Sequence, residues 1–211
     1  GSAVEDDCGV CGGDPYLEYE LVWQDEFDGA ELDLEKWNVE EWPSGYFNNE
    51  EQAYTDEIDN IYLEDGNLHI RALRESYDFN EDGVDDAMYT SGRITTKHKG
   101  DWEYAMVEVK AKLPLGGGTW PAIWMLPTEE IYGVWPQSGE MDIMEHKGND
   151  QGTIQSSIHN ATYFGGLPDQ QTNKIPVGGV SFPHVFSMIW TKDRITFKVD
   201  ENVVLVYDNP G

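Results

Sequence analysis

Alternating apolar and polar positions are the dominant pattern along this chain. The alternation is clearest in residues 68–73 and 106–113, and side chains that alternate in this way lie on opposite faces of a β-strand. Residues 195–199 and 203–207 alternate on either side of a polar Asp-Glu-Asn turn, which predicts a hairpin. Helical periodicity is scarce, and residues 32–37 are expected to form one turn. Many short strands separated by Gly, Asn, Asp and Pro predict an all-β sandwich.

The segment from Gly139 to Gly148 holds three carboxylates within six positions of an apolar run. In a strand, Glu140 and Asp142 share one face, whereas Glu145 has the opposite parity. A β-bulge at one of the two residues between Asp142 and Glu145 would absorb one position and return Glu145 to that face. Without the bulge, Glu145 would be an unpaired carboxylate on the apolar face, which is energetically costly.

A helix is the alternative placement for this acidic segment, because Asp142 and Glu145 would then be i,i+3 neighbours. The flanking sequence favours a strand. Residues 136–139 have the composition of a loop, and residues 148–150 form a Gly-Asn-Asp turn signal.

Three carboxylates in one groove cannot all ionise freely, because neighbouring negative charges raise the pKa of at least one of them. One carboxyl group is then protonated and can donate to a leaving oxygen, while another is charged and can attack or stabilise positive charge. Hydrolysis of a glycosidic bond requires this pair of roles.

Aromatic residues are frequent in this sequence, which contains 8 Trp, 11 Tyr and 7 Phe. Flat aromatic faces suit sugar rings, but residues 120–127 are also typical of a well-packed core strand. Trp120 and Trp124 share a face by alternation, so both are groove residues or both belong to the core. Trp135 lies in a predicted loop five residues before Glu140, and it is the stronger candidate for a groove.

These features resemble glycoside hydrolase family 16, in its subgroup of bacterial laminarinases, which are endo-1,3-β-glucanases. The resemblance extends from about residue 19 to residue 211, and its bulged spacing Glu-x-Asp-x-x-Glu separates this subgroup from lichenases, which have the unbulged Glu-x-Asp-x-Glu. It rests on five segments, residues 21–29, 48–52, 89–94, 120–127 and 139–145. The resemblance implies a concanavalin-like β-jelly-roll sandwich with a concave substrate cleft.

The resemblance also implies a secreted, retaining, endo-acting hydrolase of β-1,3-glucan. In that assignment Glu140 is the nucleophile, Asp142 assists it by hydrogen bonding, and Glu145 is the general acid/base. The residues alone do not decide which Glu performs which step. Family members that act on mixed-linkage β-1,3-1,4-glucan or on red-algal galactans are alternatives, as is a non-catalytic β-glucan-binding sandwich.

Substrate contacts are a further implication of the resemblance. It assigns sugar-hydroxyl contacts to Asn49, Glu50 and Arg93. It assigns an aromatic wall to Trp120, Trp124 and Trp135, and a position near the scissile bond to His159. Simpler explanations exist for several of them. Arg93 could pair with one of the 41 acidic residues, His159 could be a strand-end histidine, and Asn49 could form a turn.

The net charge narrows the range of partners. Thirteen basic and 41 acidic residues give a formal charge of −28, which repels nucleic acids and anionic membranes but is compatible with a neutral polysaccharide. The sequence has no run of 18 apolar residues, so no membrane span is predicted. The isolated histidines form no visible metal triad, and no cofactor is expected for catalysis.

The segment 78–86 begins with six residues that match the first six positions of a calcium-binding loop, with oxygen-bearing side chains at positions one, three and five and Gly at six. Position twelve is not Glu, so a shorter loop or a solvated acidic turn are the alternatives. The resemblance separately implies a structural calcium ion bound by a backbone carbonyl in a turn. The candidate ligands are Asp78, Asn80, Asp82, Asp86 and, from the resemblance, Gly66.

The two ends of the chain carry expectations of their own. Residues 1–15 are predicted to combine a cloning-tag remnant with an Asp/Gly/Cys linker like those between modules of secreted bacterial proteins. Cys8 and Cys11 could pair with each other, have partners elsewhere or form half of a zinc site. Residues 16–211 are predicted to be a family 16 domain that is incomplete at its C-terminus, because family members continue further. We therefore expect a multimodular protein, and an unpaired sheet edge would favour chain association.

Overall fold

Every regular element in the described part of the chain is a β-strand. The computed structural model describes residues 19–150, 152–165, 171–176 and 179–209, and these contain fourteen strands and no α-helix. None of these residues belongs to a helix that could span a membrane. The predicted linker segment with Cys8 and Cys11 lies outside the described residues. Two compact units are present, Leu21–Asp101 and the described residues from Trp102 onward.

The Leu21–Asp101 unit contains six short strands that form three two-stranded pairs. The pairs are β1 with β6, β2 with β5, and β3 with β4, of which β2–β5 is parallel and the others are antiparallel. The strands are β1 Asn38–Val39, β2 Gln52–Tyr54, β3 Ile61–Glu64, β4 Asn67–Ile70, β5 Tyr89–Ser91 and β6 Ile94–Thr95.

Two turns in this unit follow from local chemistry. The β3–β4 hairpin closes through Asp65 and Gly66, which both have positive φ values (52° and 69°), as the tight turns of hairpins require. The single turn predicted at residues 32–37 is confirmed. The Asp33 carbonyl oxygen accepts hydrogen bonds from the backbone N–H groups of Lys36 and Trp37, at 3.0 and 2.9 Å.

The unit from Trp102 onward contains two antiparallel four-stranded sheets, with strand orders β11-β10-β9-β8 and β14-β13-β12-β7. The strands are β7 Met106–Ala111, β8 Ala122–Met125, β9 Glu140–Glu145, β10 Thr153–His159, β11 Gln171–Pro176, β12 His184–Trp190, β13 Arg194–Val199 and β14 Asn202–Asp208. The strand predicted at 106–113 is present but ends at Ala111, and the predicted hairpin β13–β14 is confirmed.

Apolar side chains from both sheets pack into one core. The β9–β10 side contributes Ile143, Met144, Ile154 and Ile158, and the facing sheet contributes Phe186, Met188, Phe197, Val199 and Val204. Phe186 and Phe197 are fully buried, so truncation of either to Ala would cost about 3–5 kcal/mol. This core supports the sheet that carries the acidic segment.

The predicted β-bulge is present in β9. Asp142 pairs with Trp124 of β8 and Met144 pairs with Ile123, so Ile143 has no partner of its own. The register with β10 shifts at the same place. Ile143 and Met144 are consecutive, yet both are 1% exposed and lie in the core. The Ser156 hydroxyl donates to the Ile143 carbonyl oxygen at 2.8 Å, which satisfies a backbone group that the bulge removes from the ladder.

Candidate active site

The bulge places the three carboxylates on one face of the sheet. Glu140 lies opposite His159 of β10, and Glu145 lies opposite Gln155 on the same strand. Residues that are directly opposite in antiparallel strands project to the same side. Gln155 and His159 are four positions apart and share a face of β10, so Glu140 and Glu145 share it too. The acidic segment is therefore a strand with three carboxylates on its polar face, as its parity predicted.

Glu140 is held between an aromatic donor and a second carboxylate. Its Oε2 atom accepts a hydrogen bond from the Trp135 indole N–H. Burial, the charge of Asp142 and the hydrogen bond with Asp142 together raise the pKa of Glu140 to about 7, against the opposing effects of His159 and Trp135. Glu140 therefore carries a proton for a substantial fraction of the time near neutral pH.

Asp142 is the most deeply buried of the three carboxylates, at 3% exposure. Its Oδ2 atom lies 3.0 Å from His159 Nε2. Hydrogen bonding to Asp142 raises the pKa of His159, and the charges of Asp142, Glu140 and Glu145 add to this effect against the opposing effect of burial. A protonated His159 balances one negative charge of the cluster.

Glu145 is bound on both of its oxygen atoms by neutral donors. The Trp120 indole N–H donates to Oε1 at 3.0 Å, and the Gln155 side-chain amide donates to Oε2 at 3.0 Å. Burial raises the pKa of Glu145 and the charge of Asp142 adds to this, while the two hydrogen bonds and His159 lower it. Glu145 thus has the environment of a carboxyl group that can donate a proton and also accept one.

Gln155 and Ser157 belong to the site and were missed from sequence alone. The Gln155 amide bridges Glu145 and the Ser157 hydroxyl, at 3.0 and 3.1 Å. The available signal was alternation, because Gln155 and Ser157 have the same parity as His159 on one strand.

The three predicted wall tryptophans lie beside the carboxylates. Trp120 and Trp135 are each 47% exposed and donate to Glu145 and Glu140, respectively. Trp124 is half-buried and lies directly opposite Asp142. The prediction that Trp120 and Trp124 share a face is confirmed by these contacts with the same polar face.

Comparison with known proteins shows the family to which this chain belongs. The family model described as glycosyl hydrolases family 16 matches residues 47–211. The chain belongs to glycosyl hydrolase family 16. It is 40% identical over 200 residues to glucan endo-1,3-beta-glucosidase A1 of Niallia circulans, covering 85% of this chain and 28% of that protein. It is 39% identical to a beta-glucanase of Rhodothermus marinus, covering 90% of this chain and 66% of that protein.

Structural comparison supports the family assignment. The X-ray structure of the laminarinase from Rhodothermus marinus matches with a TM-score of 0.85 and 38% identity, covering 91% of this chain and 76% of that one. The fold is therefore the all-β jelly roll of family 16 laminarinases, as the sequence resemblance implied. The chain spans less than two thirds of the length of the two curated relatives named above.

The other residues predicted to contact sugar, Asn49, Glu50 and Arg93, lie in the Leu21–Asp101 unit. Glu50 accepts hydrogen bonds from Gln52 and the Tyr54 hydroxyl, both at 2.7 Å. Burial and Glu50 raise the pKa of that Tyr54 hydroxyl to about 12. Arg93 pairs with Glu40, so the simpler explanation of Arg93 as an acid partner applies. Asn49 has a φ of 57° in a turn, which also fits its simpler explanation. Their contacts with sugar stay predictions.

The predicted calcium loop is exposed and internally hydrogen bonded. Asp78 accepts from the backbone N–H groups of Asp82 and Gly83, at 3.1 and 2.6 Å. Asn80 accepts from Asp82 N–H at 3.1 Å, and Asp86 accepts from Asn80 N–H at 3.4 Å. The donor set consists of oxygen atoms alone and thus fits calcium chemically. Calcium binding here and at Gly66 stays a prediction.

A second group of side chains that could hold a metal ion lies among the β9 carboxylates. Among the His, Cys, Asp and Glu side chains of the described residues, one group of three has ligand atoms all within 4.8 Å of one another, formed by Glu140, Asp142 and His159. The contact between Asp142 and His159 accounts for much of this proximity.

Proposed function

We propose that this domain is an endo-acting, retaining hydrolase of β-1,3-glucan of the laminarin type. The observation that carries the proposal is the bulged strand β9, which presents Glu140, Asp142 and Glu145 on one face with an indole N–H on each glutamate. The names of the relatives, glucan endo-1,3-beta-glucosidase and laminarinase, support the choice of substrate.

In the first step, the ionised Glu140 carboxylate attacks the anomeric carbon. A covalent glycosyl-enzyme forms as the glycosidic bond breaks, and the proton of Glu145 moves to the departing oxygen. Glu140 must be ionised to attack, yet burial and Asp142 raise its pKa to about 7. Positive charge that develops on the sugar in the transition state is attracted by this carboxylate pair, so the electrostatic strain is relieved as the reaction proceeds.

In the second step, Glu145 acts as a base. Its carboxylate takes a proton from a water molecule, which attacks the same carbon and releases Glu140. Two inversions at one carbon give net retention of configuration. The donors on Glu145, Trp120 and Gln155, stabilise its charged form for this step.

His159 and the three tryptophans are proposed to contact the sugars nearest the scissile bond. Asn49, Glu50 and Arg93 are proposed to contact hydroxyl groups on the donor side of the substrate cleft. The exposed indole faces of Trp120 and Trp135 support the aromatic part of this proposal.

Product stereochemistry tests the mechanism directly. The enzyme is incubated with laminarin, and ¹H NMR follows the anomeric signals before mutarotation. We expect the β-anomer first, together with a mixture of oligosaccharides. Initial release of the α-anomer would exclude double displacement. Parallel assays on barley mixed-linkage glucan, agar and carrageenan distinguish the substrate alternatives, and activity confined to one of these would replace laminarin as the proposed substrate.

We further propose that the domain acts outside the cell, as a module of a larger protein, with structural calcium at the Asp78–Asp86 loop. A polysaccharide substrate is too large to cross a membrane unaided, which supports the location. Cell fractionation with an antibody to the domain tests it, since recovery from the cytoplasm alone would contradict secretion.

A further inference from the structure

Lys147 lies next to an aromatic ring of the candidate active site. Its Nζ atom lies 5.8 Å from the centroid of the Trp120 ring, over the ring face. The same indole donates its N–H to Glu145 Oε1 at 3.0 Å. The Trp120 indole therefore contacts an ammonium group over its ring face and a carboxylate at its N–H edge.

Backbone hydrogen bonds hold the segments of Lys147 and Trp120 next to each other. His146 N–H donates to the Pro121 carbonyl oxygen and Gly148 N–H donates to that of Thr119, so Lys147 and Trp120 lie between two backbone hydrogen bonds of 3.1 and 2.9 Å. A Cβ atom at Gly148 would lie 1.8 Å from the Gly116 carbonyl oxygen. The two segments thus approach as closely as glycine permits.

A cation over an indole face attracts the π electrons of the ring. The N–H group at the ring edge becomes more positive and a stronger donor, as happens in polarised hydrogen-bond chains. A stronger donor favours a charged acceptor over a protonated one.

Building on the proposed function, we propose that Lys147 is a positioning residue that acts through Trp120 to stabilise the ionised form of Glu145, the form that activates water in the second step. This role is distinct from sugar contact, because Lys147 acts on the hydrogen bond that Glu145 accepts.

The other groups that face Glu145 act in both directions. Asp142 on its own strand raises its pKa, and His159 on β10 lowers it. A small cavity beside Glu145 is also lined by Lys147, Asp150 and Lys174. Lys174 of β11 lies 3.6 Å from Asp150, so its charge is largely matched, and it has no described contact with Trp120. Lys174 is therefore the natural control for Lys147.

A titration that does not depend on activity tests the proposal. The protein is labelled with ¹³C at the Glu side-chain carboxyl, the Glu145 signal is identified by its loss in Glu145→Gln, and its pKa is measured in Lys147→Met, Lys147→Arg and Lys174→Met. In Lys147→Met the ionisation constant of Glu145 should fall about twofold, because a polarised neighbour strengthens a charge-assisted hydrogen bond by only about 10–30%. Arg should preserve the native value, and Lys174→Met should change it less. An unchanged Glu145 titration in Lys147→Met overturns the proposal.

The route through the indole has its own test in the Trp120→Phe background, where the donor N–H is absent. There, Lys147→Met should no longer shift the Glu145 titration. A shift of the same size in both backgrounds would mean that Lys147 acts directly through space, and the relay would be wrong. Lys147 is exposed, so its variants are expected to fold, and thermal unfolding checks each one.

The pH profile of kcat/KM separates this proposal from the proposed function. If the basic limb of the profile moves together with the Glu145 titration, both stand. If the titration moves and the profile does not, Glu145 is not the proton donor, whereas the relay remains correct.

Discussion

Two acidic clusters in this protein have similar composition and very different surroundings. The β9 cluster places Glu140, Asp142 and Glu145 against indole, amide and imidazole groups, and Asp142 is almost fully buried. The Asp78–Asp86 loop is exposed, and its side-chain oxygens accept hydrogen bonds from the backbone of the loop itself.

The difference shows that carboxylate count alone does not define a reactive site. In the β9 cluster, burial and a neighbouring carboxylate raise the pKa of both glutamates. Hydrogen bonds from side-chain donors of other segments lower these pKa values and so limit the rise. The loop binds its carboxylates to local N–H groups, which is how Asp and Asn residues stabilise turns. Each of the following experiments tests one part of this contrast.

The largest effect is expected from removal of the two glutamates. Glu140→Ala and Glu145→Ala should each lower kcat on laminarin by about 10⁴-fold or more, since the proposed mechanism uses one in bond making and the other in proton transfer. Asp82→Asn in the loop is the matched control and should retain activity.

Azide distinguishes the two glutamate roles. With an activated aryl β-laminaribioside, azide should enter the space left in Glu140→Ala and give the α-glycosyl azide. In Glu145→Ala it should react with the covalent intermediate and give the β-glycosyl azide. The reverse pattern would exchange the assigned roles.

The Asp142 charge should set the acid limb of the activity profile. Glu140 has a pKa raised to about 7 partly by Asp142, so native activity should decline as the pH falls through this region and the nucleophile becomes protonated. Asp142→Asn removes the negative charge, lowers the Glu140 pKa and should move the acid limb to lower pH, although maximal activity falls. A profile of kcat/KM from pH 4 to 10 measures this, and an acid limb that stays in place would show that Asp142 does not control Glu140.

The bulge should be sensitive to its supporting hydroxyl group. Ser156 is fully buried and donates to Ile143 O, so Ser156→Ala leaves a buried carbonyl without this partner and should cost about 1–3 kcal/mol in the free energy of unfolding. Urea unfolding measures the loss. Ser76→Ala, at an exposed site, is the control and should be close to neutral.

Calcium binding would give the carboxylates of the loop a structural role that those of the β9 cluster do not have. If the loop binds the ion, millimolar calcium should raise the Tm of the native protein, and Asp78→Asn combined with Asp82→Asn should abolish the rise without changing kcat. Equal Tm values in calcium and in EGTA would leave the loop as a solvated turn.

The smallest effect is expected at His184 and Asp200, an acid–base pair that belongs to neither cluster. His184 Nδ1 lies 2.9 Å from Asp200 Oδ2; hydrogen bonding to Asp200 raises the pKa of His184, and the same contact lowers that of Asp200. The pair should therefore stabilise the fold between the ordinary pKa values of the two groups, 3.8 and 6.5. The His contribution is lost as the pH rises through its raised pKa, and the Asp contribution is lost as the pH falls through its lowered pKa.

Asp200 is 51% exposed at its side chain, so solvent screening should keep the contribution below about 1 kcal/mol. His184→Gln should lower the unfolding free energy at pH 5.5 and have little effect at pH 9. A loss that is equal at both pH values would point to packing instead of charge.

Sequence patterns predicted the parts of this molecule that depend on local alternation. Parity at Glu145 required an extra residue, and the structure places that residue at Ile143. The loop position of Trp135 predicted a groove residue, and its indole donates to Glu140. In both cases the relevant residues lie within a few positions of each other, so the strand period alone constrains them.

Contacts between segments that are distant in the sequence were harder to predict. The Asp142–His159 pair depends on the register of β9 against β10, which the bulge itself shifts. Gln155 was missed because a polar residue in a strand is usually a solvated one, and only the pairing with Glu145 shows its role. The Leu21–Asp101 unit gave the opposite result, since the exposed turn at Asn49 and the Arg93–Glu40 pair fit explanations that require no ligand.

Because Ile143 has no partner in the neighbouring strand, substitution and deletion at the bulge should have different effects on the acidic residues of β9. Substitutions at Ile143 or Met144 alter core volume but leave the spacing of the carboxylates intact. Deletion of either residue would restore strict alternation, so Glu140, Asp142 and Glu145 would still share a face. The two glutamates would then be one position closer along the strand. A three-nucleotide deletion, which in most core strands turns every following side chain to the wrong face, could here pass from one working arrangement of the acids to another.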